Sequence, residues 1–434
     1  MAEAFSPGYH SPPVIPRAIS PEAPFAPDPM EGPLTEFGRA GIERWALDPS
    51  VTYLNHGTVG ATPKRVIEAQ RRICDEIERR PSQFLLRELS SIGVFAVPPE
   101  KPRIRAAADA VAEFVGARGA DFVFADNVTT AINAVLRSFE LHEGDEVLLT
   151  DHTYGAIVNA ATFVTRERGA GLRIVELPYP GCAPGITPQS LAEAVVDAIA
   201  GAIGPRTRLA IVDHVTSLSA LVLPLREIAA RCREKGVPVL VDGAHAPGAI
   251  PLDVPALGVD WYGANLHKWA WSPRSCGFLW APPERQRGLH PPVISWGLDQ
   301  GFTDEFDLVG TRDPSACLAA PEAIAFMREL GVEAVRGYNH ALAWEAARYL
   351  ADRWGTTLGM PEAMVGSMAT VPLPEGAGAT NEDAVRLRDA LLFEDRIEVQ
   401  LHDWRGRLWV RVSAQIYNEM ADVERLAAAT LARL

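Results

Sequence analysis

Lys268 stands in the segment VDWYGANLHKWAWSP, among Trp261, Trp269 and Trp271. A lysine in an aromatic, partly desolvated setting holds its proton less tightly. It can then attack a carbonyl carbon to form a Schiff base and later carry a proton. Asp242 lies 26 residues earlier (268 − 242), at the end of the apolar run PVLVD. A carboxylate there is costly unless paired. A protonated pyridine nitrogen would be such a partner, and the pairing would keep that ring able to accept electrons. His245, three residues on, could donate to or stack against the same ring. Each residue alone also has an ordinary reading. A surface lysine can lay its stem over apolar rings, and an aspartate before Gly243 can make an Asx-turn.

Two further segments suit anions. In FVFADNVTTAINAVLRSF a strand runs into a polar turn and a helix opens near Thr129. Free backbone N–H groups and the positive end of the helix dipole suit a phosphate there, with the Thr129 hydroxyl as a further donor. The plain alternative is an N-cap by Asn127 or Thr129. No GxGxxG or Walker loop is present, so nucleotide binding has no support. In GRLWVRVSAQIYN, Arg411 lies among apolar strand residues. A buried guanidinium asks for a planar anion, either a substrate carboxylate or a structural carboxylate partner.

These residues need elements to carry them. β-rich runs occur at 121–125, 145–150, 172–177, 207–213, 237–242, 259–263 and 276–280, with helical stretches between most of them, such as 129–139, 189–202 and 224–235. Apolar strands alternating with helices predict an α/β domain whose mainly parallel, seven-stranded sheet is sandwiched by helices. No helix of crossover length precedes 276–280, so an antiparallel strand is expected there. Ligands bind beyond the carboxyl ends of such strands. Four of those ends open into polar loops, at Asp126-Asn127, Asp151-His152-Thr153-Tyr154, Asp213-His214 and Asp242-Gly243-Ala244-His245. Two more helices are expected before the sheet, within 62–81 and 104–117.

After about residue 300 the rhythm changes to helical segments over 315–355, β-like runs at 367–372, 396–400 and 407–413, and a final helix from Glu419. The expected organisation is a tail over 1–35 with nine prolines, a large domain over 36–300 whose first segment packs on the small domain, and a small α+β domain over 301–434.

The chain has 434 residues, 47% apolar and 22% charged, with a net charge of −14. That balance argues against nucleic acid or an anionic membrane as the main partner. The five cysteines (74, 182, 232, 276 and 317) form no CxxC pair. They read as reduced thiols of a cytoplasmic protein, with neither a disulfide framework nor a metal site.

In chain order, the Thr-bearing phosphate turn, the strand-end aspartate, the His-Lys pair and the C-terminal arginine resemble class V aminotransferases, a family of fold type I pyridoxal-phosphate enzymes. VDGAHAPG (241–248) followed by HKW (267–269) carries most of the resemblance, which spans roughly residues 50–430. FLLRE (84–88), NVTTAIN (127–133), ISW (294–296) and GTRD (310–313) are most similar to its isopenicillin N epimerase-like members.

The resemblance implies that Lys268 links pyridoxal 5′-phosphate, Asp242 pairs with its ring nitrogen and His245 lies near its ring oxygen. It places Val128, Thr129, Asn265 and His267 on the phosphate and Tyr154 on the ring face. Arg411 would clamp the substrate carboxylate, Asn55 would border the substrate, and Thr311 would reach a neighbour's phosphate in a homodimer. The implied activity is epimerisation or racemisation at the α-carbon of an amino-acid-type small molecule. The alternative is carbon–sulfur β-elimination; transamination or a non-catalytic role ranks lower. Epimerisation needs a second acid, for which Tyr154, His214 and water are the candidates.

Two departures matter. The stretch RIEVQLHDWRGRLWVR lacks the nucleophilic cysteine of the family's desulfurases, which argues against a protein persulfide. Asp213 stands where relatives often have serine.

Overall fold

The computed structural model describes residues 37–92, 99–179 and 190–434. The proline-rich tail expected over 1–35 lies outside the described residues, as does Cys182.

Twelve strands occur along the described chain: β1 (Thr52–Tyr53), β2 (Phe122–Ala125), β3 (Glu146–Thr150), β4 (Gly171–Val175), β5 (Thr207–Asp213), β6 (Val239–Asp242), β7 (Trp261–Asn265), β8 (Gly277–Trp280), β9 (Met368–Pro372), β10 (Ile397–Glu398), β11 (Gln400–Trp404) and β12 (Arg407–Ser413). Seven of them form one sheet in the order β2-β8-β7-β6-β5-β3-β4. Its central strands are apolar along both faces; Leu209, Ala210, Ile211 and Val212 are fully buried. They stay dry because crossover helices such as Val128–Ser138 and Leu225–Glu234 pack on the sheet. β8 runs antiparallel to both β7 and β2, and the remaining pairs are parallel. The expected seven-stranded, mainly parallel α/β sheet with one reversed strand is what forms.

The reversal makes the connection 266–276 a closed loop that carries Lys268. The Leu266 and His267 amides both donate to the Cys276 carbonyl, at 2.9 and 3.2 Å, and the Ser272 amide donates to the Leu266 carbonyl at 3.1 Å. Two glycines let other backbone reach this loop. A Cβ on Gly60 (φ +70) would stand 1.9 Å from the His267 carbonyl oxygen, and one on Gly248 (φ +87) would stand 2.2 Å from the Trp269 carbonyl oxygen. Neither approach tolerates a side chain.

The C-terminal part holds a three-stranded antiparallel sheet, β11-β12-β9, with the helices Val332–Trp354, Asn381–Phe393 and Met420–Leu431. The strand expected at 396–400 is resolved differently. β10 leaves the sheet to pair in parallel with β1, while β11 runs on to Trp404. The extension follows from the turn Arg405-Gly406, whose φ values of +48 and +74 suit a two-residue hairpin loop. The hairpin sets Gln400 opposite Arg411 and His402 opposite Trp409.

Among the described residues no helix is long and apolar enough to cross a membrane. No group of three or more His, Cys, Asp or Glu side chains there could hold a metal.

Candidate active site

A cavity of about 560 Å3 opens beyond the carboxyl ends of the parallel strands. One wall comes from the strand ends and the Lys268 loop, the other from β11 and β12, which contribute Gln400, His402 and Arg411.

Asp242 ends β6. Its Oδ1 accepts from the Ala244 amide at 2.9 Å, the Asx-turn that the sequence allowed. Its Oδ2 is buried with no protein partner. Burial raises the carboxyl's pKa, while the Ala244 hydrogen bond and the Lys268 charge oppose the rise. Asp213, at the end of β5, registers directly with Asp242, and its Oδ2 is likewise buried without a partner. Burial first, and then the Asp242 charge, push the Asp213 carboxyl far above the usual carboxylate range.

Lys268 Nζ lies 3.3 Å from His245 Nε2. Burial presses the lysine down to about 8, helped by the Arg411 charge and opposed by Asp242. His245 is kept neutral chiefly by burial, and further by Lys268, Arg411 and His267. An amine that loses its proton far more readily than an ordinary lysine, beside a neutral imidazole and an unpaired carboxyl oxygen, is a nucleophile with an adjacent cation-seeking group.

The helix Val128–Ser138 points its N-terminus into the cavity. Asn265 Oδ1 accepts from the Val128 amide at 2.8 Å, and Asn127 Oδ1 accepts from the Thr130 amide at 3.0 Å. Asn127 is therefore the N-cap. The Thr129 amide and hydroxyl at the cavity wall are what this turn offers an anion. His267 Nδ1 donates to the Cys276 carbonyl at 2.9 Å, which turns Nε2 the other way. Burial holds the ring at about 4.

Arg411 is buried on β12. Its Nη1 donates to the Ser217 carbonyl at 2.6 Å and to Ser217 Oγ at 3.3 Å, and its Nη2 donates to Thr58 Oγ1 at 2.9 Å. Its Nε has no partner. Among the described residues no acidic side chain pairs with this guanidinium, so the structural salt bridge considered from sequence does not form. Tyr154 lines the cavity and is half exposed.

Three expected site residues stand elsewhere. His214 does not line the cavity, because its Nδ1 is engaged with the Tyr262 hydroxyl at 2.7 Å. Asn55 acts one step back, where its Oδ1 accepts from the Thr58 hydroxyl at 2.6 Å and steadies the residue that meets Arg411. Thr311 is exposed on a separate apolar cavity with Leu85, Leu89 and Cys317. The sequence reading missed Thr58, Ser217, Gln400 and His402. The period of two puts Gln400 and His402 on one face, but no local pattern says that this face meets the cavity.

These features fit pyridoxal 5′-phosphate. The amine and the unpaired strand-end carboxylate suit its aldehyde and ring nitrogen, and the Val128 helix end with Thr129 suits its phosphate. Fold and site together define a fold type I pyridoxal-phosphate enzyme. The family model for aminotransferase class V matches residues 100–426, and the chain belongs to that family.

Among relatives, a putative L-cysteine desulfhydrase 1 of Oryza sativa subsp. japonica is 34% identical over 409 residues, covering 87% of this chain and 82% of its own length. An isopenicillin N epimerase of Streptomyces clavuligerus is 34% identical over 402 residues, covering 88% and 95%. A solved cystine C–S lyase in complex with its product cysteine persulfide superimposes with a TM-score of 0.71. It shares 22% identity over 88% of this chain and 97% of its own.

Proposed function

We propose that this enzyme labilises the α-proton of an amino acid or amino-acid-containing small molecule, with Lys268 as the base. Asp242 Oδ2 carries the reading: a buried carboxylate oxygen beside the lysine with no partner in the protein. The chemistry the bound cofactor would supply is an electron sink for the α-carbon. Asp242 keeps the ring nitrogen protonated. Lys268 would hold the cofactor through Nζ, and the same Nζ would take the α-proton. Thr129, the Val128 turn and Asn265 would hold the phosphate, with His267 joining them once its Nε2 gains a proton, Tyr154 would cover the ring, and Arg411 would take the substrate carboxylate.

Epimerisation at the α-carbon is the first reading. It needs an acid on the face opposite Lys268, and of the two side chains considered for that role Tyr154 is the one that lines the cavity. Carbon–sulfur β-elimination is the second reading. It is favoured by the turning of His214 toward Tyr262, which removes one of the two side-chain acids. Neither reading uses a thiol of the protein, and none of the described cysteines lines the cavity.

We further propose a homodimer in which Thr311 serves the partner's site. The exposure of Val293 (57%), Ile294 (53%) and Trp296 (58%) supports an interface at this segment.

The test is incubation of the holoenzyme with D- and L-amino acids and cysteine conjugates. Inversion without product loss supports epimerisation, and release of pyruvate and ammonia supports elimination. A purified protein that takes up no pyridoxal phosphate would sink both.

A further inference from the structure

Two groups of buried, unpartnered polar atoms face each other across the cavity. One comprises Asp213 Oδ2 and Asp242 Oδ2 at the strand ends, and the other comprises Arg411 Nε and both ring nitrogens of His402. The cofactor's ring nitrogen answers Asp242, but nothing so far answers His402. Its side chain is only 7% exposed and lines the cavity. Leaving a buried imidazole with neither nitrogen bonded is costly, and such a group in a cavity wall points to a ligand.

The strand register shows which ligand. Gln400 faces Arg411 and His402 faces Trp409 across β11 and β12. Alternate residues of a strand share a face, so His402 and Arg411 project from one face of the hairpin. Arg411 has committed Nη1 to Ser217 and Nη2 to Thr58. Its Nε–H has no acceptor, and Nη2 keeps a second N–H beyond the one given to Thr58. A carboxylate offers about four acceptor sites, more than Arg411 fills, and the unpartnered donor on the same wall is His402.

We propose that His402 is this donor, a second reader of the substrate's α-carboxylate alongside Arg411. The inference rests on the amino-acid site proposed above. Burial and the Arg411 charge hold the ring near 4, so it is neutral and carries one N–H. A neutral donor beside a guanidinium adds a hydrogen bond without adding like-charge repulsion. Gln400, on the same face, donates its amide to the Leu401 carbonyl at 3.2 Å and so leaves His402 unblocked for this role.

The experiment uses the full chain loaded with pyridoxal phosphate. L-alanine and ethylamine, which differ by the carboxylate alone, are titrated as equilibrium ligands through the change in cofactor absorption. The proteins are wild type, His402→Leu, His402→Asn and Arg411→Gln, with thermal melting as a check on folding. Wild type should prefer alanine. His402→Leu should weaken alanine binding about 10-fold and leave ethylamine unchanged. His402→Asn, which keeps an N–H donor, should recover most of the loss. Equal weakening of both ligands, or no change in either, overturns the assignment of His402 while leaving the cofactor site intact. Wild type that does not discriminate the two ligands overturns it as well. Wild type that takes up no cofactor sinks the proposed function, and this inference with it.

Discussion

The Trp269 indole N–H donates to His245 Nδ1 at 3.3 Å. Because an indole nitrogen only donates, His245 Nδ1 must hold a lone pair, and the neutral ring carries its proton on Nε2. That N–H faces Lys268 Nζ at 3.3 Å, where it can donate only to an unprotonated amine. Trp269 thus acts on the lysine through the histidine, as a positioning residue. In Trp269→Phe the imidazole is free to turn a bare nitrogen toward an ammonium. The Lys268 pKa should then rise from about 8 by roughly one unit, the worth of one hydrogen bond. The pH profile of pyridoxal phosphate capture by the cofactor-free protein reads this directly. An unshifted profile would show that the indole only fills space.

Arg411 acts on the same lysine by charge. Burial is the larger cause of the lowered Lys268 pKa and the guanidinium the second. Arg411→Gln removes the second cause alone. Since capture needs the neutral amine, the capture rate of the variant should fall at pH 7 and recover well above pH 8. The KM for amino acids should rise about 10- to 100-fold, as expected when a charge-assisted hydrogen bond to a carboxylate is lost. A variant with a raised KM and an unmoved capture profile would confine Arg411 to substrate binding.

Much of this site is legible in the sequence because strand ends are. Asp242, Asp213 and Asn265 terminate apolar runs, and a parallel sheet brings such ends to one edge whatever the loops do. Lys268 follows from the same logic, since it closes the β7–β8 connection. His402 was not legible. Whether it faces a cavity or a core depends on where β10 ends and β11 begins, and that is decided by the pairing of Thr52–Tyr53 with Ile397–Glu398, 345 residues apart in sequence (397 − 52). His214 shows the converse. A histidine after a strand-end aspartate looked like an acid of the site, but alternation turns it to the opposite side, where the Tyr262 hydroxyl takes it up. The Thr58 and Ser217 contacts to Arg411 likewise come from loops whose paths no local pattern dictates.

Gly60 is where the N-terminal segment meets the Lys268 loop. Its φ of +70 and the 1.9 Å approach of a built Cβ to the His267 carbonyl leave no room for alanine. The nearest atoms are backbone, so no side chain can swing aside. Gly60→Ala should cost more than about 1 kcal/mol of stability and displace the loop that holds Lys268. Chemical denaturation reads the first effect, and weaker cofactor retention on dialysis reads the second. A variant with wild-type values for both would show that the loop moves at no cost.

Asp213 and Asp242 face each other in register with an unpartnered oxygen apiece, so the cofactor-free protein carries two buried carboxyls that resist ionising together. Both folded pKa values are raised, Asp213 the more strongly. The folded state therefore holds protons that the unfolded chain has released above its ordinary value of 3.8, and stability falls as pH rises from there through the folded values. The Asp213 carboxyl accepts from the Thr153 side chain and the Tyr154 amide, and Asp213→Asn removes the more perturbed group while retaining an oxygen for those two donors. At pH 7 the cofactor-free variant should be more stable than wild type by at least about 1 kcal/mol, near the worth of one pKa unit, with a flatter dependence on pH. Asp242→Asn should also relieve the pair, but it removes the partner of the ring nitrogen, so cofactor affinity should fall by about 3–5 kcal/mol. Melting curves across pH for the cofactor-free proteins, with cofactor titrations alongside, separate the two carboxyls. If Asp213→Asn weakened cofactor binding as much as Asp242→Asn, the ring nitrogen would be shared between them. If neither substitution flattened the pH dependence, the pair would be ionised in the fold and its register would carry no electrostatic cost.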